Sequence, residues 1–347
     1  MLPLKLPIAP MLAKSVDSIP TGDYAHEPKW DGFRCIVARD GDDIVLGSRG
    51  KKPLTRYFPE LVPAMASLPP RCILDGEIIV RTGAPGSEHL SWDLLSQRIH
   101  PAESRITRLA AETPAEVVCF DILALGDDDL TGQPWEARRK ILDQVFTPNP
   151  HPSLHLSAVT RDDTLAQDWF THFEGAGLDG VVCKAVHGTY EQGKRSMLKV
   201  KHKRTAEAVV VGYRVAKNGD GVGSLLLGMY DHRGELVRVG GIVSLPLTMR
   251  RQLVAELAPL VTAEIEPALE STRSRFSSEK DASYVPLAPE LVVEVAFDQL
   301  EGRRFRHAVS FLRWRPDRDP SSCLLDQVET AAVYDLAQVF AEGGAAR

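Results

Sequence analysis

No apolar run in the 347-residue chain approaches the ~20 residues that a membrane-spanning helix needs. The N-terminal MLPLKLPIAPML carries no signal-peptide cleavage pattern, so a cytoplasmic location without membrane association is expected. Positive charge is not in excess: 41 Lys and Arg against 47 Asp and Glu give a formal net charge of −6. That balance gives no general affinity for polyanions and leaves any nucleic-acid affinity to local patches. Cysteine is sparse. Cys35, Cys72, Cys119, Cys183 and Cys323 are odd in number, widely spaced and form no C-x-x-C pair, which argues against a zinc ribbon or a disulfide framework. Four lie in apolar runs, and all read as small buried side chains in a reducing compartment. Repeats and low-complexity segments are missing too, which excludes a solenoid. What remains is an ordinary globular composition, 44% hydrophobic and 25% charged, with length for two domains.

The most informative stretch is His26-Glu27-Pro28-Lys29-Trp30-Asp31-Gly32-Phe33-Arg34. Pro28 fixes φ and removes a donor, Asp31-Gly32 is turn chemistry, and the residues from Phe33 to Val37 read as a strand. Lys29 is thus held beside a turn rather than on a solvated helix. A lysine with its ordinary pKa near ~10.4 offers little free amine at neutral pH, so a nucleophilic role requires burial or neighbouring cations. Taken alone, K-x-D-G reads as an exposed lysine at a hairpin.

Further along, Cys35 to Ala38 and Ile44 to Leu46 read as strands around the Asp40-Gly41-Asp42-Asp43 turn, after an irregular lead-in over residues 1–23. Ser48-Arg49-Gly50-Lys51 suits either a nucleotide or DNA contact or a solvated loop. Cys72 to Val80 reads as a strand with Asp75 and Glu77 on one face, able to hold a ribose hydroxyl or a divalent cation, or to face solvent at an edge. Leu90 to Ile99 reads as a short helix, and Val117 to Leu123 as a strand inside a sheet. Pro134 to Phe146 and Asp163 to Glu174 read as amphipathic helices, with Leu165, Trp169 and Phe173 as core. Asp179 to Ala185 and Met197 to Lys201 return to strands, the second placing Lys199 and Lys201 on one face. Past Arg204, strand-like runs at Ala208 to Val215, Ser224 to Tyr230, Leu236 to Val243 and Leu291 to Phe297, with a helix over Leu247 to Leu260, suggest a small Greek-key barrel of the OB type. Two domains are expected, 1–203 and 204–347, the second including a helical tail after Gln327. Basic residues cluster at Lys194, Arg195, Lys199, Lys201, Lys203 and Arg204, and again at Arg303, Arg304, Arg306, Arg313, Arg315 and Arg318.

Lys29 to Arg34, Asp75-Gly76-Glu77, Phe120-Asp121, Asp179 to Lys184 and Leu198-Lys199-Val200-Lys201 stand in the order found in covalent nucleotidyltransferases. The chain resembles the ATP-dependent DNA ligases, specifically the short bacterial type and the ligase module of multifunctional end-joining ligases, from about Ala9 to Arg318. The resemblance implies an α+β fold: an ATP-grasp-like nucleotidyltransferase domain of antiparallel sheets with helices, then an OB-fold β-barrel. It implies that Lys29 attacks ATP to form a covalent lysyl-AMP, that AMP passes to the 5′-phosphate of a nick, and that the 3′-hydroxyl displaces it. Lys184, Lys199 and Lys201 would position the phosphates. Glu77 and Asp179 would hold Mg²⁺ or Mn²⁺. Glu27 would frame the adenine, Phe120 would stack on it and leave Asp121 near the site, and Arg34 and Arg49 would contact ribose and substrate phosphate. Arg315-Pro316-Asp317-Arg318 matches the element that orients pyrophosphate, so Arg315, Asp317 and Arg318 join the catalytic set.

Two departures stand out. Asp179-Gly180 replaces the usual Glu-Gly, and Arg318 replaces a lysine, keeping charge but changing donor geometry. No large helical DNA-binding domain precedes the core, so salt-sensitive gripping of nicked duplex DNA by core and barrel is expected. A monomer is the default, with a repair polymerase or end-joining factors as candidate partners and nucleoid association through DNA. The enzyme rivals are an RNA ligase and a capping guanylyltransferase. Outside catalysis, the rival is an inactive nucleic-acid-binding module, against which the intact Lys29, Glu77, Lys184, Lys199 and Lys201 argue.

Overall fold

Runs of β-branched and small apolar residues carry this chain into sheets covered on both faces. In the computed structural model, which describes residues 1–147, 151–217, 219, 221–263, 284–328 and 332–345, the largest sheet is antiparallel along Asp43–Ser48, Phe33–Asp40, Arg71–Thr82, Ala115–Leu125 and Asp128–Asp129. His89–Leu90 pairs with Arg71–Thr82, and Leu154–Leu156 runs parallel to Ala115–Leu125. Side chains alternate between two cores. Val37, Leu74, Ile78 and Val117 pack with Phe58, Leu61, Met65 and Leu142, while Ile36, Ile73 and Leu123 meet Ile8, Met11 and Tyr190. This period-two division explains why Arg71–Thr82 and Ala115–Leu125 read as near-continuous apolar runs.

A second sheet has the order Ala13–Ser15, Met197–Val200, Val181–Ala185, Tyr24–Pro28. The first pair is parallel and the others antiparallel. Part of the lead-in is therefore a strand: three residues of mixed polarity give no local signal, and pairing with a segment about 180 residues away creates it. The chain passes from Tyr24–Pro28 in the second sheet to Phe33–Asp40 in the first through Lys29-Trp30-Asp31-Gly32 alone. Gly32 is required at that crossing, because an added Cβ would stand 2.0 Å from the Ile78 carbonyl oxygen.

Helices form over Trp135–Phe146 and Asp163–His172, the latter capped by Asp162, whose side chain accepts from the amides of Thr164 and Leu165. The expected helix over Leu90 to Ile99 is limited to Trp92–Gln97, with Ser91 as its cap. Glu103–Glu112 adds a helix that sequence alone did not mark. All five cysteines are free and buried, and burial pushes the thiols of Cys72 and Cys183 up to about 12.

The chain divides into two compact units, Met1–Lys201 with Ala331–Arg347, and His202–Thr330. In the second, five antiparallel strands have the order Leu236–Ile242, Val222–Tyr230, Arg204–Val215, Val292–Phe297, Ser310–Trp314, with Val285–Pro286 also paired to Arg204–Val215. Helix Leu247–Leu257 lies between the third and fourth strands in chain order, as in an OB fold. Register shifts at Val210/Gly212, Leu227/Gly228 and Glu294/Val295 bend these strands. Ser310–Trp314, mostly exposed at an edge, lacks the apolar alternation that would reveal it. The tail helix, Leu336–Ala345, which sequence alone groups with the barrel, belongs to the first unit.

Candidate active site

Lys29 is clasped through its backbone. Its N–H donates to the Gly180 carbonyl at 2.9 Å, and its carbonyl accepts from the Asp179 N–H at 3.0 Å. Gly180 has φ +111°, and an added Cβ would lie 2.0 Å from the Val200 carbonyl oxygen. Alanine there combines left-handed strain with a backbone clash. Gly180→Ala is expected to destabilise the chain by about 2 kcal/mol or more and to slow chemistry at Lys29, readable as a shifted unfolding midpoint and a slower AMP-transfer rate.

The Lys29 side chain donates to Asp179 Oδ2 at 2.7 Å, and Lys201 Nζ reaches the same oxygen at 2.6 Å. Burial pushes the Asp179 carboxyl up, but Lys29 and Lys201 more than reverse this and hold it below its ordinary value. Lys199 is held low by burial, then by repulsion from Lys29 and Lys201. Two lysines thus bond one carboxylate, with Lys199 close enough to feel all three charges. Such a surplus of positive charge suits a phosphate chain, and entry of an anion would release Lys29 from Asp179.

Lys184, only 3% exposed, donates to Glu27 Oε1 at 2.9 Å and to the Phe120 carbonyl at 2.8 Å, and lies 4.8 Å from the Phe120 ring centroid. Burial raises the Glu27 carboxyl despite Lys184 and Arg139. Arg34 lies 4.5 Å from the same ring centroid, and Asp75 accepts from its Nε and terminal nitrogen at 2.5 and 2.6 Å. Glu77 is pushed up to about 7 by burial, against the pull of Arg34 and Lys29. Among the described residues, no three His, Cys, Asp or Glu side chains converge to hold a cation. Glu77 and Asp179 both lie near Lys29, and one or two carboxylates completed by substrate phosphates and water are the way Mg²⁺ is commonly held.

Lys29, Glu27, Arg34, Glu77, Phe120, Asp179, Lys184, Lys199 and Lys201 therefore come together in the first unit. Arg49 follows the edge strand Asp43–Ser48 and is exposed. Asp121 turns away from the Phe120 ring, since successive strand residues face opposite ways, and accepts from Arg138 Nε at 2.8 Å in a buried pair, while its charge still helps raise the Glu27 carboxyl. In the barrel, Arg315 is fixed by Asp317 at 2.8 Å and Glu207 at 2.5 Å, with the Asp317 carboxyl held down at about 2 chiefly by the hydrogen bond from Arg315. Arg318 donates its N–H to the Arg315 carbonyl at 3.1 Å, closing the turn.

Sequence reasoning missed three supports. Tyr190 donates to Asp75 Oδ2 at 2.5 Å and accepts from the Met11 N–H at 3.0 Å. Arg139 lies 3.9 Å from Glu27 and donates to the Ser157 carbonyl at 2.8 Å. Trp30 donates to Ser157 Oγ at 2.9 Å. Isolated residues of this kind carry no sequence signal; only the placement of Lys29 and Asp75 gives them meaning.

A lysine gripped beside surplus cations, on a glycine crossing between two sheets, is the arrangement of a covalent nucleotidyltransferase. The chain matches the family model "ATP dependent DNA ligase domain" over residues 10–201 and "ATP dependent DNA ligase C terminal region" over 218–318. It belongs to the ATP-dependent DNA ligases. It is 51% identical to DNA ligase C of Mycobacterium tuberculosis, over 97% of this chain and 98% of that protein. It is 50% identical to DNA ligase C1 of Mycolicibacterium smegmatis, over 98% and 99%. A solved Lig E DNA ligase shares the fold, with a TM-score of 0.56 and 18% identity over 88% of this chain and 99% of that one. No helix among the described residues is long and apolar enough to cross a membrane.

Proposed function

We propose that this chain seals nicks in duplex DNA with ATP, through lysyl-AMP on Lys29. The observation that carries the reading is the pairing of Lys29 and Lys201 on the single carboxylate oxygen Asp179 Oδ2. Lys29 Nζ, as the free amine after releasing a proton to solvent, attacks the α-phosphorus of ATP. A P–N bond forms while the bond to pyrophosphate breaks. The 5′-phosphate of the nick then takes AMP from the lysine, and the 3′-hydroxyl attacks that phosphate and expels AMP.

Throughout, Lys184, Lys199 and Lys201 offset charge on the phosphoryl oxygens. Glu27 and the Phe120 ring would frame the adenine, and Arg34, locked by Asp75, is pre-ordered for a polar contact. Glu77 and Asp179 are the residues that would hold a divalent cation, Mg²⁺ or Mn²⁺, which would neutralise phosphate charge and position the leaving pyrophosphate. Arg315, Asp317 and Arg318 would orient pyrophosphate, and Arg49 a substrate phosphate. The chain would act as a monomer on nicks left in repair, supplied by a repair polymerase or end-joining factors.

The relatives' names favour DNA over RNA. Sealing assays on all-DNA nicks and on nicks with an RNA 3′-hydroxyl strand, each with ATP or GTP, test the reading. ATP-driven closure of the DNA nick, weakening steeply as salt rises, is expected. Closure with GTP, or of the RNA-stranded nick alone, would replace it with capping-type or RNA-ligase chemistry.

A further inference from the structure

The tail lies beyond residue 318, where the family match ends, yet its helix Leu336–Ala345 is built into the wall behind Lys29. Leu336 and Val339 are fully buried, in one cluster with Trp30, Phe120, Trp169 and Phe173. The Leu336 N–H donates to the Glu88 carbonyl at 2.8 Å, and Asp335 Oδ1 accepts from the Glu88 N–H at 3.2 Å. The segment before the helix presses so closely on Gly175 that an added Cβ there would stand 1.8 Å from the Ala332 carbonyl oxygen. Tyr334 packs on Phe173 with ring centroids 5.3 Å apart.

At the centre of this contact is Phe340. Its ring stacks on Trp30 at 5.2 Å with an interplanar angle of 16°, and on His155 at 4.2 Å, with the Arg81 guanidinium 5.4 Å from its centroid. His155 and Arg81 are both held by Glu116, so this side of the stack is anchored by charge. Trp30 is the residue directly after Lys29, is 5% exposed, and has its indole N–H engaged by Ser157. The backbone of Lys29 is fixed on one side by Asp179 and Gly180, and the residue that follows it is fixed by Phe340.

We infer that the C-terminal helix is part of the adenylation machinery, with Phe340 a positioning residue that acts through Trp30 to hold Lys29 in line with the α-phosphorus. This rests on the proposed lysyl-AMP chemistry. Geometry at a nucleophile is exacting, and a displacement near 1 Å costs on the order of a hundredfold in rate. Loss of the Phe340 ring leaves every cation around Lys29 in place, so nucleotide affinity should hold while the transfer step slows.

Full-length Phe340→Ala and Phe340→Tyr test this by single-turnover AMP transfer to Lys29 across ATP concentrations, and by sealing of a pre-adenylated nick, a step that needs no attack by Lys29. Phe340→Ala should slow AMP transfer roughly tenfold to a hundredfold, leave the ATP concentration for half-maximal rate essentially unchanged, and spare sealing of the pre-adenylated nick. Phe340→Tyr, which keeps the ring, should recover most of the rate. A folded Phe340→Ala with wild-type AMP transfer, or one in which both steps fall together, overturns the inference. If Phe340→Ala does not fold, Gly175→Ala displaces the tail by backbone clash without touching the stacked rings, and the same selective loss is required of it. Wild type separates the two levels: no adduct on wild type removes the lysyl-AMP reading, whereas an adduct that forms equally fast in the variants removes only the role of the tail.

Discussion

Lys29→Ala is expected to abolish AMP transfer and to lower nick sealing by about 10⁴-fold or more, the scale on which removal of a covalent nucleophile registers. Lys199 and Lys201 cannot substitute. They project from the Met197–Val200 strand and the residue just after it, whereas Lys29 is set by backbone bonds to Asp179 and Gly180 at 3.0 and 2.9 Å. The fold should survive, because Asp179 keeps Lys201 at 2.6 Å and its carboxylate is not left without a cation. Affinity for nicked DNA should change little, since phosphate contacts from many cations dominate it. Sealing of a pre-adenylated nick should also persist in part. Measuring AMP transfer, pre-adenylated sealing and DNA binding on one preparation separates nucleophile from binding surface.

Lys184→Ala should fail differently, in stability as well as in chemistry. Lys184 and Glu27 are 3% and 2% exposed, and removing the ammonium leaves a buried carboxylate with Arg139 at 3.9 Å as its nearest cation. Breaking one partner of such a pair costs about 3–5 kcal/mol. The pH dependence has a definite sign. The Glu27 carboxyl is already raised in the folded chain by burial, and loss of Lys184 raises it further. The folded state then holds a proton that the unfolded state releases, so the deficit is small below the ordinary carboxyl pKa and grows as pH rises through the folded value. Denaturant unfolding at pH 5 and pH 7.5 should show the larger loss at the higher pH. A Glu27→Leu/Lys184→Met double variant should recover stability without recovering AMP transfer, because replacing a buried pair with apolar residues is often neutral or stabilising.

Much of the site was legible because its parts are local and ordered. Lys29 sits beside a glycine turn, Asp179-Gly180 precedes the Lys184 strand, and Lys199 and Lys201 alternate at period two. The sheet strands were legible as long β-branched runs between turn residues. Elements defined by distant partners were not. Ala13–Ser15 is a strand only because Met197–Val200 lies beside it, and Tyr190 matters only because Asp75 and Met11 meet at its hydroxyl. Strand alternation turns Asp121 from the Phe120 ring to Arg138, yet it stays close enough for its charge to act on Glu27. The tail was expected as helix from Gln327 on, and the helix is limited to Leu336–Ala345; what it packs against, Trp30 and His155, has no local signal. Arg34 was expected at the ribose, and the structure shows first the carboxylate of Asp75 that orders it.

The most direct measurement is intact mass with peptide mapping of the wild-type chain after pyrophosphate stripping and incubation with Mg²⁺ and either ATP or GTP. A gain of one AMP with ATP alone, on the peptide containing Lys29 and reversed by pyrophosphate, is the predicted result. A folded, stripped protein that gains no mass, or carries the adduct on another residue, contradicts the assignment of Lys29 as the nucleophile.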